Sequence, residues 1–118
     1  MRSKYEQIIP GVLQNPIISP AIYRTRDGLS HYHFQYLKVN NYFEIDIIQQ
    51  PPYGIRNSNM SVAHWLNSVR GGKKICISLG KEPITLEAAR NISMEWAELT
   101  NEYIKTGRTI DEQIAARN

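Results

Sequence analysis

The stretch HYHFQYLKVNNYFEIDIIQ, residues 31–49, decides the fold. Aromatic and β-branched residues alternate with polar ones on both sides of Asn40-Asn41, a dipeptide that tolerates the left-handed backbone of a two-residue turn. The pattern predicts a hairpin of His31–Val39 and Tyr42–Gln49 with Val39 opposite Tyr42. Side chains alternate across a strand, so counting back from that pair separates two faces. One carries Tyr32, Phe34, Tyr36, Phe43, Ile45 and Ile47 and is the expected core side; the other carries His31, His33, Gln35, Leu37, Glu44, Asp46 and Ile48. The second face is too apolar for full solvation once Val39, Val62 and Leu66 are added. It is therefore expected to be covered by an N-terminal arm or by a second subunit, which predicts a homodimer or higher oligomer.

Working outward, residues 1–20 are punctuated by Pro10-Gly11, Asn15-Pro16 and Ser19-Pro20 and read as an arm, with a strand at Ala21–Arg26 before the Asp27-Gly28 turn. Beyond the hairpin, Gln50–Asn59 forms a long loop with Pro51-Pro52, Tyr53-Gly54 and Arg56. Met60–Asn67 and Lys73–Leu79 are expected to pair as a second hairpin, with Ala63, Trp65, Ile75, Ile77 and Leu79 inward and Val62, His64, Leu66, Lys74, Cys76 and Ser78 outward. Thr85 caps a predicted helix from Leu86 to Thr106, closed by Gly107, with Leu86, Ala89, Ile92, Trp96, Leu99 and Tyr103 on one stripe. Thr109-Ile-Asp-Glu112 matches a capping box and opens a short terminal helix. The expected fold is α+β: an antiparallel sheet of four to five strands covered on one face by one long C-terminal helix, plus the short helix. The expected organisation is one domain over 1–118, with the arm at 1–20, sheet at 21–80, long helix at 85–106 and terminal helix at 109–118.

A length of 118 residues, 42% hydrophobic and 21% charged, fits one core and excludes a multidomain machine. Cys76 is the single cysteine, so an intrachain disulfide framework is excluded and a reducing compartment expected. No apolar run reaches the ~18 residues that span a bilayer, and the first residues lack a signal-peptide pattern, so the expectation is a cytoplasmic protein with no membrane contact. The net charge of +3 is polarised. Residues 1–81 hold ten basic against four acidic residues, a balance of +6, and residues 82–118 four against seven, a balance of −3. A basic front part favours a phosphate-bearing partner.

The basic run Arg70-Gly71-Gly72-Lys73-Lys74 is the leading candidate for phosphate contact: glycines let a backbone approach an anion and the flanking cations neutralise it. Arg56 adds a cation, and Tyr53 is a candidate platform for base stacking. His31, His33 and His64 fall on the expected outer face with Cys76, Glu44 and Asp46, which are residue types suited to zinc or to acid–base work. The spacing matches no recognised metal motif, so no metal and no cofactor is expected.

The run GGKKICISLG (71–80), followed by PITLEAA (83–89) and a helix, resembles the last strand and helix of phage-integrase arm-type DNA-binding domains and their plant ethylene-response relatives. Taking Tyr42–Gln49 and Met60–Asn67 as the preceding strands extends the resemblance over residues 42–106. The resemblance implies a three-stranded sheet whose exposed face enters the major groove, with Arg70, Lys73 and Lys74 on phosphates or bases. Glu44 and Asp46 on that face, and the long proline-rich loop, depart from the pattern. The function expected from the sequence is a small non-catalytic binding module for a phosphate-bearing partner, nucleic acid first. The alternative is an inhibitor of the phage or mobile-element type that binds a host defence protein or sequesters a nucleotide signal. The third class is a histidine- or metal-dependent enzyme.

Overall fold

A computed structural model of the chain describes residues 18–117. Five strands, β1 (Ile18–Arg24), β2 (His31–Val39), β3 (Tyr42–Gln49), β4 (Trp65–Asn67) and β5 (Lys73–Ile75), form one antiparallel sheet in the order β1-β2-β3-β5-β4. A short helix α1 (Met60–Ala63) precedes β4, and the long helix α2 (Leu86–Thr106) and short helix α3 (Ile110–Ala115) follow the sheet. The α+β architecture is as expected. The arm expected at 1–20 lies outside the described residues up to position 17, and β1 begins at Ile18 rather than Ala21.

Val39 pairs with Tyr42, and Asn40 takes the left-handed conformation at φ 58° that opens the turn. Tyr32, Phe34, Tyr36, Phe43, Ile45 and Ile47 are buried beneath α2 with Ile75, Ala89, Trp96 and Ala97. Trp96 meets Tyr32 and Phe34 edge to face at centroid distances of 5.9 and 6.1 Å, contacts worth about 0.5–1.5 kcal/mol each beyond area burial. Its indole N–H donates to the carbonyls of His64 and Ala63, and the Tyr36 hydroxyl bonds Ser93 Oγ at 2.7 Å. Sheet and helix are thus joined by buried polar contacts as well as by packing.

Thr85 caps α2 by accepting from the Ala88 amide, and Gly107 closes it at φ 82°. The Thr109–Glu112 capping box is present in full. At the other end of the sheet, Asp27 ties the β1–β2 turn to α2. It accepts from the Leu29 amide, the Thr25 hydroxyl, Asn101 Nδ2 and Lys105 Nζ, bonds that hold its carboxyl well below the usual carboxylate range.

The second hairpin differs from expectation. Asn59 accepts from the Ser61 amide and nucleates one helical turn, and His64, left-handed at φ 58°, ends it and redirects the chain into β4. Met60–Ala63 is therefore helical, and β4 is only three residues long. β5 stops at Ile75 because the following chain leaves the ladder: the Lys81 amide bonds the Ser78 carbonyl in a turn, and Pro83 O takes the Phe43 amide. Leu79, expected inward, sits in this turn and is 95% exposed. Over residues 42–106 the order is therefore β3, α1, β4, β5, α2, with a helical turn in the first half of the Met60–Asn67 segment read as a strand.

Candidate ligand-binding face of the sheet

Helix α2 covers one face of the sheet. On the outer face, the β4–β5 tip is built around glycines. Gly71 and Gly72 are left-handed at φ 93° and 73°, with no atom within 4 Å of where a Cβ would lie at either. This geometry turns the chain back so that the Ser68 amide meets Gly72 O, the Gly71 amide meets Ser68 O, and the Arg70 amide meets Ser68 Oγ. The amides of Arg70 and Gly71 are thus used within the tip.

The tip folds Arg70 back over β3. Its Nε donates to Asp46 Oδ2 at 2.7 Å, and its Nη2 to Asp46 Oδ1 at 2.9 Å and Glu44 Oε1 at 2.6 Å. Lys74 Nζ reaches Glu44 Oε2 at 3.0 Å, and Ser68 Oγ donates to Asp46 Oδ1. The Asp46 bonds, with those to Glu44, raise the Arg70 guanidinium further above its ordinary range and fix it as a cation. Burial alone pushes the Glu44 carboxyl up, but the bonds from Arg70 and Lys74 outweigh it and hold the group below its ordinary value. Asp46 is 4% exposed, so the cluster is an internal ion-pair network of two cations and two carboxylates.

The other sequence-selected residues are also engaged. Lys73, which points to the opposite side of β5 from Lys74, lies with Nζ 4.3 Å from the Trp65 ring centroid and 5.6 Å from that of Tyr53. Tyr53, expected as a stacking platform, is buried beside Tyr103 at 6.4 Å and belongs to a small core with Ala63. Arg56 caps the C-terminus of α2, donating from Nε to Ile104 O and from Nη2 to Lys105 O, both at 3.2 Å. A side chain at Gly107 would meet that guanidinium at 2.9 Å. Arg56 and Tyr53 thus hold the long loop against α2.

The three histidines do not converge. His64 Nε2 bonds Asp111 Oδ1 of α3 at 2.9 Å, whereas His31 and His33 stand on β2 opposite Arg24 and Ile22 of β1. The expectation of one face holding all three fails because α1 replaces a strand at Met60–Ala63. Among the described residues, no group of three His, Cys, Asp or Glu is placed to hold a metal ion, and Cys76 is free and exposed.

The β1–β2 end carries features that the sequence did not single out. Strict alternation sets His33 opposite Ile48, but a β-bulge after His33 shifts its partner to Gln49 while Phe34 keeps Ile47. The displaced chain runs into Gln50-Pro51-Pro52, which forms one wall of a cleft of about 560 Å³. Its other walls are Ile22, Leu29, Ser30, Tyr32, and the two histidines His31 and His33. Ile22 and Leu29 are 71% and 77% exposed. Gln50 Nε2 donates to Pro51 O, while Gln50 Oε1 and His33 Nε2 are buried without a hydrogen-bond partner. Arg24, opposite His31, has no acidic partner among the described residues.

No family model, no curated protein and no solved structure matches the chain.

Proposed function

We propose that the chain is a non-catalytic binding module for a phosphate-bearing ligand of nucleotide size, received on the outer face of the sheet. The charge distribution carries this reading. The described outer face holds Arg24, Arg70 and Lys74 against Glu44 and Asp46, with His31 and His33 beside Arg24. Helix α2, on the other side, holds four glutamates against Arg90 and Lys105. Arg26 and Arg117 pair with Glu98 and Glu95 on that side, so it is the excess cation of the sheet side that draws an anion. Within the outer face, Arg70 and Lys74 are already neutralised by carboxylates, which leaves Arg24 as the described cation free to meet a phosphate. One uncompensated cation suits a compact ligand better than a polymer with many phosphates. A module that holds a nucleotide without turning it over sequesters it.

The test is a titration of purified protein with adenosine monophosphate and with a short single-stranded oligonucleotide across a salt series. The expected result is nucleotide binding with shallow salt dependence and recovery of the nucleotide unchanged. A polymer that engages four or more phosphates instead gives a log–log slope near −3 or steeper, at about −0.7 per phosphate. Binding of the oligonucleotide alone with that slope would replace the compact ligand by a strand of nucleic acid. Binding of neither at low salt would overturn the reading altogether.

A further inference from the structure

We infer that the cleft between the β1–β2 turn and Gln49–Pro52 is the seat of a nucleobase, with the attached phosphate on Arg24. The inference rests on the phosphate-bearing ligand proposed above and adds the part of the ligand that phosphate chemistry leaves open. Three observations carry it. The cleft measures about 560 Å³, within the roughly 300–1,000 Å³ of small-ligand sites. Apolar side chains from two segments line it, Ile22 and Leu29 from the β1–β2 side and Pro51 and Pro52 from the chain after β3.

The third observation is chemical. Buried polar atoms are almost always hydrogen-bonded, and those left without a partner at a cleft wall call for one. Gln50 Nε2 is bonded to Pro51 O, and its acceptor Oε1 is unpartnered in a side chain that also adjoins the unpartnered Tyr53 hydroxyl. The second orphan, His33 Nε2, complements it as a donor in the tautomer protonated there. A ligand edge that presents an N–H beside a ring acceptor satisfies both, and that is the hydrogen-bonding edge of a nucleobase. Both atoms are buried, so base binding requires the Gln50 and His33 side chains to turn them toward the cleft. Base readout between apolar walls with polar contacts at the edge is a general solution for holding an unstacked base. The register then suggests the place of the phosphate: His33 pairs with Ile22 and His31 with Arg24, so Arg24 stands two residues along β1 from Ile22 of the cleft.

The experiment compares adenosine monophosphate with ribose 5-phosphate, which carries the phosphate and lacks the base, by calorimetry on the wild-type chain and on Gln50→Leu, His33→Leu and Arg24→Ala. Adenosine monophosphate is expected to bind at least about tenfold tighter than ribose 5-phosphate. Gln50→Leu and His33→Leu are each expected to remove most of that advantage and leave ribose 5-phosphate unchanged, whereas Arg24→Ala weakens both. The His33 imidazole nitrogen resonance of the wild-type chain should move on addition of adenosine monophosphate and stay in place with ribose 5-phosphate, a readout that needs no variant. Equal affinities for the two probes, or a silent His33 resonance, would overturn the base seat while leaving the phosphate-binding function standing. Failure of both probes and of the oligonucleotide would overturn the function and the base seat together.

Discussion

At the β4–β5 end of the outer face, Arg70 is bonded to Asp46 and Glu44, whereas at the β1–β2 end Arg24 stands opposite His31 with no carboxylate beside it among the described residues. The tip has the composition of a phosphate loop, basic and rich in glycine, and its charge is satisfied within the fold. The cleft has an unremarkable composition, yet its lining residues Tyr32, His33 and Gln50 each carry an orphaned polar atom, and the uncompensated Arg24 lies further along β1. The difference teaches that a cation reports on ligand binding only after its partners in the fold have been subtracted. A paired guanidinium that turned to a phosphate would leave Asp46 buried and unpaired, a cost that outweighs one exposed phosphate contact.

The sharpest way to break the comparison is to unpair the tip. Asp46→Ala removes the acceptor of Ser68 Oγ and two of the three carboxylate bonds of Arg70 in a largely buried setting and is expected to cost about 3 kcal/mol, read as a lower urea midpoint. Acid probes the same network more gently. Glu44 is held below its ordinary pKa of 4.5 in the folded chain, so its contribution is present above that value and is lost as pH falls through the lower, folded value. Arg70→Met removes one of the two partners that lower the Glu44 carboxyl and leaves Lys74 alone against burial. In a melting series from pH 7 to pH 3, the Glu44 part of the acid loss should then begin at higher pH in the variant than in the wild type.

Smaller effects test the residues that join loop to helix. Arg56→Ala frees the Ile104 and Lys105 carbonyls at the α2 terminus and should destabilise by about 1–2 kcal/mol, measured by chemical denaturation. Lys73→Ala removes an ammonium from the Trp65 and Tyr53 rings at a half-buried site and should cost about 0.5–1 kcal/mol, with a change in tryptophan fluorescence as the second signal. Neither variant is expected to change nucleotide affinity.

Much of this fold is legible in residues 31–49 and 85–112. There, alternation, the Asn40-Asn41 turn, the Thr85 cap and the Thr109–Glu112 box act locally and agree with one another. Met60–Ala63 reads as strand by residue type, yet the Asn59 cap and the bond from the Trp96 indole to His64 O favour a helical turn. That second partner is 32 residues away. The tip was misleading for the same reason: Glu44 and Asp46 are visible in the sequence as acids on the outer face, but their pairing with Arg70 depends on how two left-handed glycines aim a side chain 24–26 residues distant. The cleft was hidden because period-two counting cannot register a bulge. Ile48, the extra residue on β3, drops out of the ladder and Gln49 pairs with His33 in its place, so that Gln50-Pro51-Pro52 comes to line a cleft with His31 and His33. His31 and His33 could be selected from residue type alone; Arg24 and Gln50 needed the register.

The most direct test is a paired measurement on Arg24→Ala and Arg70→Ala, taking the melting temperature and the affinity for adenosine monophosphate of each. Arg24→Ala is expected to keep stability within about 0.5 kcal/mol of the wild type and to lose nucleotide affinity. Arg70→Ala should melt earlier yet bind with wild-type affinity at a temperature where it is folded. Loss of binding in Arg70→Ala with none in Arg24→Ala would contradict the account and return the ligand to the tip.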